Sequence, residues 1–181
     1  MAQYSFVTHW RFDAPIEAVY EAIRDYGRWP RWWSSIAAAK RLRQGDADGI
    51  GEQVELTFRT KLPYTLSFVT EVAAVKPPTE LDGRASGELA GMGRWRLFPD
   101  GGGTKVTYYW DVRTTRWWMN LLAPIARPAF KWNHDQVMED GRRGLERLLV
   151  QQATGQVRRR ARPDHLSPPR RQGAPRTPSR S

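Results

Sequence analysis

Apolar and polar residues alternate near the start of the chain. In "YSFVTHWRF", residues 4–12, large rings and one threonine occupy every second position. This period of two predicts a half-buried β-strand with an aromatic inner face. The period then changes in "IEAVYEAIRDY", residues 16–26, where apolar residues recur every three or four positions and predict a helix. A second short helix or turn is predicted for "RWPRWWSSI", residues 28–36.

The middle of the chain, from about 39 to 115, consists of short alternating runs. They are separated by turn-forming stretches such as "GDADGIG", "KPP" and "PDGGG". Successive short strands joined by tight turns predict about six further antiparallel strands, with one face of the sheet in water.

A long helix is predicted at the C-terminal end of the ordered region. Pro124 and Pro128 should break or kink its beginning, so the helix is expected from about residue 128 to 152. Its apolar stripe comprises Phe130, His134, Val137, Met138, Gly141, Leu145 and Leu148. Because a helix of this length needs a large partner surface, we expect it to pack on the inner face of the sheet. The predicted fold class is α+β.

Three segments carry a resemblance to a known family. They are "WRFDAPIEAVYEAIRDYGRWPRWW", "ASGELAGMGRWRLFPDGGGTKVTYYWDVRTT" and "WWMNLLAPIARPAFKWNHDQVMEDGRRGLERLL". With the strands between them they span about residues 3 to 150, and they resemble the START/Bet v 1-like (SRPBCC) superfamily in its polyketide cyclase/dehydrase branch. The resemblance implies a helix-grip fold, in which a curved antiparallel sheet of about seven strands wraps around a long C-terminal helix. Two short helices follow the first strand in this fold. It also implies a hydrophobic cavity between sheet and helix, without assigning a ligand or a reaction.

Charge divides the chain into two parts. The net charge is +10, and residues 155–181 contribute +7 of it through eight arginines and one aspartate, which leaves +3 for residues 1–154. The 155–181 segment also holds five prolines and almost no large apolar side chains, so it cannot offset its ordering entropy by burial. We therefore predict a helix-grip domain over 1–154 and a disordered tail over 155–181. Such a tail could bind nucleic acid or anionic lipid weakly.

The rest of the composition excludes several classes of protein. The chain has no cysteine, which rules out disulfides and thiol chemistry and is typical of a reducing compartment. No apolar run approaches the roughly 20 residues of a membrane helix. The alternating N-terminus is unlike a secretion signal. We expect a cytoplasmic protein without a transmembrane segment, and its oligomeric state is not predicted.

The inward positions of the strands and the helix carry mainly rings and aliphatic groups. No Asp, Glu, Lys or Arg of a strand is expected to point inward. A few polar groups in an apolar lining are what a binding pocket needs to orient a ligand. The predicted ligand-binding residues are Trp10, Tyr64, Phe68, Trp95, Tyr108, Trp110, Phe130, His134 and Met138.

His134 is the inward residue best suited to proton transfer. It is the candidate catalytic residue, with Tyr64 or Tyr108 to polarise a carbonyl group. The alternative is a histidine of the core or pocket wall that is hydrogen-bonded to its surroundings. A zinc site is not predicted, because His9 should point outward and His165 lies in the tail. No cofactor is predicted either.

Two sequence features allow two interpretations each. Glycines in "ELDGRASGEL" and at 141 and 144 could leave a void for a ligand, or they could permit close backbone approach. The segment "WPRWW", residues 29–33, could be a lid or membrane anchor together with Trp117 and Trp118, or a packed plug between helix and sheet.

These observations favour a protein that binds a hydrophobic or aromatic small molecule, as a carrier or a sensor. The alternatives are a cyclase/dehydratase-type enzyme that uses His134 and a tyrosine, and an interaction module whose basic tail binds nucleic acid or membrane.

Overall fold

A computed structural model describes residues 2–59, 65–115 and 117–160, and it leaves the side chains of 117–127 and 156–160 undescribed. The elements in chain order are β1 (Gln3–Phe12), α1 (Ile16–Arg24), a 3₁₀ helix (Tyr26–Arg31), β2 (Ile36–Arg43), β3 (Gln53–Arg59), β4 (Thr65–Lys76), β5 (Glu80–Gly87), β6 (Leu89–Asp100), β7 (Gly103–Thr114) and α2 (Trp117–Arg160).

The seven strands form a single antiparallel sheet in the order β1-β7-β6-β5-β4-β3-β2. Register shifts interrupt the β2–β3 pairing near Ala38 and the β4–β5 pairing near Ala74. Irregularities of this kind bend a strand and increase its twist, which helps the sheet to curve. The curved sheet and the long helix confirm the predicted α+β helix-grip fold.

Alternation along the strands decides which side chains enter the core. In β3, Val54, Leu56 and Phe58 are buried, while the residues between them are half-buried. Helix α1 buries Val19 and Ile23 against β6, β7 and α2. The sheet thus presents a continuous apolar inner face, and the helices close over one side of it.

Helix α2 differs from its prediction at both ends. It begins at Trp117 and not near residue 128, so Pro124 and Pro128 do not end it. The proline ring holds φ near the helical value, and its cost is the loss of one backbone hydrogen bond and crowding of the preceding turn.

The helix also continues to Arg160, where residues 155–160 were expected to belong to the disordered tail. Arginine is a good helix former, and positive charge near a helix C-terminus complements the helix dipole. Residues 161–181 lie outside the described part of the chain. Disorder there, and binding of nucleic acid or anionic lipid, stay predictions.

The segment that follows the 3₁₀ helix docks directly on α2. A Cβ atom at Gly144 would overlap the backbone oxygen of Trp32, and one at Gly141 would lie 2.5 Å from the Trp33 ring. The Trp33 indole N–H donates a 2.8 Å hydrogen bond to the backbone oxygen of Val137. The two helix glycines therefore serve close approach and do not create a void.

The "WPRWW" segment is a packed plug in this structure. Trp29, Trp32 and Trp33 are all buried, and the Trp29 indole N–H donates to the backbone oxygen of Ile23. Buried rings whose faces contact one another cannot anchor the protein to a membrane. The predicted partners Trp117 and Trp118 lie outside the described side chains.

Asp140 ties α2 to the same segment. Its carboxylate accepts hydrogen bonds from the hydroxyls of Ser34 and Ser35, at 2.7 to 2.8 Å, and from the backbone N–H of Ser35 at 2.7 Å. Burial alone would raise the pKa of Asp140, but these hydrogen bonds outweigh burial and lower it below its ordinary value. These contacts make Asp140 a tether between α2 and the segment that follows the 3₁₀ helix.

Removal of this tether should destabilise the protein. We expect Asp140→Ala to lower the free energy of unfolding by about 2 kcal/mol, because hydrogen bonds to a charged group are worth about 1.5–3 kcal/mol. Asp135→Ala is the matched control on the same helix, since Asp135 pairs with Lys131 at an exposed position. Urea denaturation at pH 7 should show a change within about 0.5 kcal/mol for the control. Equal effects of the two substitutions would contradict the tether.

Candidate functional site

A cavity of about 140 Å³ lies between the inner face of the sheet and α2. Its walls come from β1, from β3 to β7, from the 3₁₀ helix with the residues that follow it, and from α2. Six of the seven strands and α2 therefore contribute to the walls of the same cavity.

Most of the predicted ligand-binding residues lie in this lining. They are Phe68, Trp95, Tyr108, Trp110, Phe130, His134 and Met138. Trp10 is not among the lining residues; it is buried, with its ring 5.4 Å from Trp95 and 5.9 Å from Trp33. Trp10 is a core residue in the structure, because Trp33 of the plug packs against its ring. Tyr64 lies outside the described residues, so its predicted role stays a prediction.

Three rings on neighbouring strands form a stacked wall. The Trp95 and Tyr108 ring centroids are 3.9 Å apart with an interplanar angle of 22°, and those of Tyr108 and Trp110 are 5.8 Å apart at 23°. Trp95 and Tyr108 are direct cross-strand partners in the β6–β7 register. Cross-strand aromatic pairs of this kind stabilise a sheet.

His134 is held between α2 and β1. Its ring stacks on Phe6 with centroids 4.2 Å apart, and Nε2 lies 3.4 Å from the Thr8 hydroxyl oxygen. Burial lowers the pKa of His134 from 6.5 to about 4; the Asp135 charge opposes this effect and the Lys131 charge adds to it. The imidazole is therefore neutral at physiological pH, with one nitrogen able to donate and the other to accept.

Several lining residues were not predicted. Tyr26, Trp29 and Trp33 reach the cavity from the 3₁₀ helix and the residues after it. Asn133 also lines the cavity, and its Oδ1 is buried without a hydrogen-bond partner among the described residues. Short 3₁₀ segments have no extended period from which the direction of a side chain can be inferred. The density of rings in "WPRWW" was the available signal.

Charged groups stay outside this interior. Within the described lining there is no Asp, Glu, Lys or Arg. The strands carry their ion pairs at solvent-accessible positions, such as Arg94 with Asp111 and Arg96 with Asp82. An ion would have to leave water for an apolar space without a counter-charge there, which is costly. Burial of a charged group in the described lining would therefore be unfavourable.

Comparison with known proteins identifies the family. A family model described as "Polyketide cyclase / dehydrase and lipid transport" matches residues 3–149. The chain belongs to this family. The predicted resemblance to polyketide cyclase/dehydrase proteins is thereby confirmed, and the family supports hydrophobic ligand binding or cyclase activity without deciding between them. No curated protein matches the chain.

Solved structures share the fold of this family member at low sequence identity. TTHA0849 from Thermus thermophilus is 16% identical with a TM-score of 0.67, over 83% of this chain and 99% of that one. The Zhui aromatase/cyclase from a Streptomyces species is 15% identical with a TM-score of 0.66, over 90% and 98%. A START superfamily protein from Mycobacterium smegmatis is 18% identical with a TM-score of 0.64, over 82% and 97%. Across the described residues, no helix has the length and apolar character required to cross a bilayer.

Proposed function

We propose that this family member binds a neutral, planar, hydrophobic or aromatic small molecule in the cavity between sheet and α2, as a carrier or sensor. The observation that carries the proposal is the combination of a stacked aromatic wall with a described lining free of charged side chains. A neutral aromatic molecule can pack within such a lining without leaving a charge unpaired, and its burial removes apolar surface from water.

The volume of the cavity sets the size of the ligand. A cavity of about 150 Å³ lined by apolar side chains is large enough to bind benzene. The cavity here measures about 140 Å³, so a single aromatic ring enters without rearrangement of the described residues.

An enzyme of the cyclase/dehydratase type is the second candidate. The family description names such a reaction, and His134 and Tyr108 line the same cavity. However, a base with a pKa of about 4 accepts a proton poorly at neutral pH, and no carboxylate of the described lining stands beside it. The low pKa of His134 and the lack of a carboxylate in the described lining favour binding over proton transfer.

Blocking the cavity should abolish binding. Met138 is a buried lining residue of α2, and Met138→Trp adds bulk that fills the space between helix and sheet. With toluene, indole and naphthalene as probes, ligand-observed NMR should show binding to the wild type and at least about tenfold weaker binding to this variant, since tenfold corresponds to about 1.4 kcal/mol.

Gln136→Trp is the matched control, because Gln136 lies on the exposed side of the same helix. This variant should bind the probes as the wild type does. If none of the probes binds the wild type, the proposed function is wrong. If Met138→Trp binds them unchanged, the ligand site is elsewhere.

A further inference from the structure

A second hollow, which we call the cleft, lies beside the plug. It measures about 180 Å³ and is formed by the end of the 3₁₀ helix, the residues that follow it and the later turns of α2. Trp32 lines the cleft, whereas Trp33, whose ring stacks on Trp32 with centroids 5.3 Å apart, lines the cavity between sheet and α2. No residue that the structure describes lines both spaces, so the cleft is a separate site.

Two arginines from different elements line the cleft. Arg31 is the last residue of the 3₁₀ helix, and Arg147 lies on α2. Both side chains are exposed, and neither has an ion pair or a hydrogen bond among the described residues. The described lining contains no Asp or Glu, so it carries two positive charges and no negative one.

The sequence of α2 explains why Arg147 has no partner on its own helix. Side chains three or four positions apart are neighbours on a helix surface. None of these positions around Arg147 is acidic; they hold Arg143, Gly144, Val150 and Gln151. Arg142, by contrast, lies between Glu139 and Glu146 and pairs with both. The guanidinium of Arg147 therefore keeps its hydrogen-bond donors for another partner.

Asp140 does not act as the counter-ion of the cleft. Ser34 lines the cleft and donates a 2.7 Å hydrogen bond to the Asp140 carboxylate, which also accepts from the backbone N–H and the hydroxyl of Ser35. The Arg147 charge reaches Asp140 at longer range, but no ion pair joins the two side chains among the described residues. The tether therefore uses the Asp140 carboxylate, and both arginines stay available.

The cleft also has an apolar part. Pro30, Trp32 and Leu148 belong to its lining. The Trp32 indole N–H is buried, and it has no acceptor among the described residues. The lining therefore combines apolar contact area with hydrogen-bond donors that lack an acceptor.

We infer that the cleft is a second binding site, which holds a small organic acid by its carboxylate or phosphate group. A guanidinium group presents its N–H donors in a fork that matches two oxygens of such a group. Arg31 and Arg147 bind the anionic group, and the apolar body of the acid lies against Pro30 and Leu148. Since a cavity of about 150 Å³ holds benzene, about 180 Å³ suits an acid with one ring. The cleft thus takes a charged ligand, which the lining of the other cavity disfavours.

Benzoate and its neutral analogue benzamide test the role of the charge. The two molecules have nearly the same shape, but an uncharged amide replaces the carboxylate in benzamide. Titration of the ¹⁵N-labelled full-length protein, followed by NMR at low salt, gives both affinities from the backbone amides of Arg31, Ser34, Gly144 and Gln151. Benzoate should bind at least about tenfold more tightly than benzamide at these residues, because hydrogen bonds between charged groups are the stronger class. Phenyl phosphate is titrated in the same way, and failure of both acids to shift these resonances would overturn the site.

Substitution of either arginine should weaken this binding. We expect Arg31→Gln and Arg147→Gln each to reduce the benzoate affinity at least about fivefold. Arg113→Gln is the matched control, because Arg113 is an exposed arginine of β7 outside the cleft and has no ion pair among the described residues. The control should bind benzoate as the wild type does. Equal losses in all three variants would show that benzoate responds only to net charge, and would overturn the site.

Two measurements on the wild-type protein cover variants that do not fold. The benzoate affinity should fall as NaCl is raised from about 0.05 to about 0.5 M, because salt screens exposed charges. The Trp32 indole N–H resonance should shift as benzoate binds. Benzoate shifts confined to the cavity between sheet and α2 would overturn the cleft as a site. Failure of toluene, indole and naphthalene to bind would remove the proposed function and leave the cleft unaffected.

Discussion

Gly144→Ala should lower the free energy of unfolding by about 3 kcal/mol, although alanine is the better helix former. The new methyl group would overlap the backbone oxygen of Trp32, and a backbone atom cannot rotate away as a side chain can. Overpacking typically costs about 1–3 kcal/mol and sometimes more, whereas the gain in helix propensity is at most about 1 kcal/mol. The free-energy cost of the overlap is therefore larger than the gain in helix propensity.

Gly155→Ala in the same helix should have the opposite sign. Beyond its own turn of the helix, no atom of the described residues lies within 4 Å of a Cβ at Gly155, so only the helix propensity changes. We expect an increase of about 0.5 kcal/mol, because position 155 is near the end of α2. Urea denaturation of the three proteins under the same conditions measures both effects. An increase in stability for both variants would show that the Trp32–Trp33 segment does not dock on α2 as described.

His134→Gln should remove a large part of the loss of stability in acid. The pKa of His134 is about 4 in the folded protein, against an ordinary value of 6.5 in the unfolded chain. Between these two values the unfolded chain binds a proton that the folded protein excludes, so the wild type is destabilised as the pH falls. The full gap corresponds to about 3 kcal/mol, of which about 2 kcal/mol is lost by pH 5.

The measurement compares unfolding free energies at pH 7.5 and pH 5.0. Stabilisation from the neutral imidazole is fully present above pH 6.5 and is lost towards pH 4. The wild type should therefore lose about 2 kcal/mol more than His134→Gln over this range. Gln136→Ala, an exposed neighbour without a titratable group, should retain the wild-type loss. If wild type and His134→Gln lose the same stability, the histidine is not buried in its neutral form.

Periodicity explains why so much of the fold could be predicted from the sequence. The alternating residues of β1 and β3, and the helical stripe from Phe130 to Leu148, each follow a backbone period that does not depend on tertiary contacts. Seven of the predicted ligand-binding residues lie in the cavity lining for the same reason. Alternation assigns a side chain to a face, and only one face of this sheet is covered.

The remainder of the site depends on contacts between distant parts of the chain. Trp10 lies on the predicted inner face of β1, but the plug packs against it and separates it from the cavity. No local sequence pattern predicts the position of the plug. The contacts of the glycines also come from distant parts of the chain. Gly144 lies against Trp32, more than 100 residues earlier, and Gly83 lies against hydroxyl groups from two other elements. Pro124 and Pro128 show that a local preference against a helix does not decide where the helix begins.

The clustered tryptophans of the plug and the sheet have a spectroscopic consequence. The indole rings of Trp29, Trp33, Trp95 and Trp10 form a chain of neighbours with centroids 5.1 to 6.3 Å apart at fixed, non-parallel angles. Chromophores this close share their excited states, so their circular dichroism depends on mutual orientation and not only on number. Since Trp29, Trp33 and Trp95 also line the cavity, three of these four neighbouring indoles are groups that an occupant would touch. The circular dichroism of the tryptophans can therefore report on the cavity without an added dye.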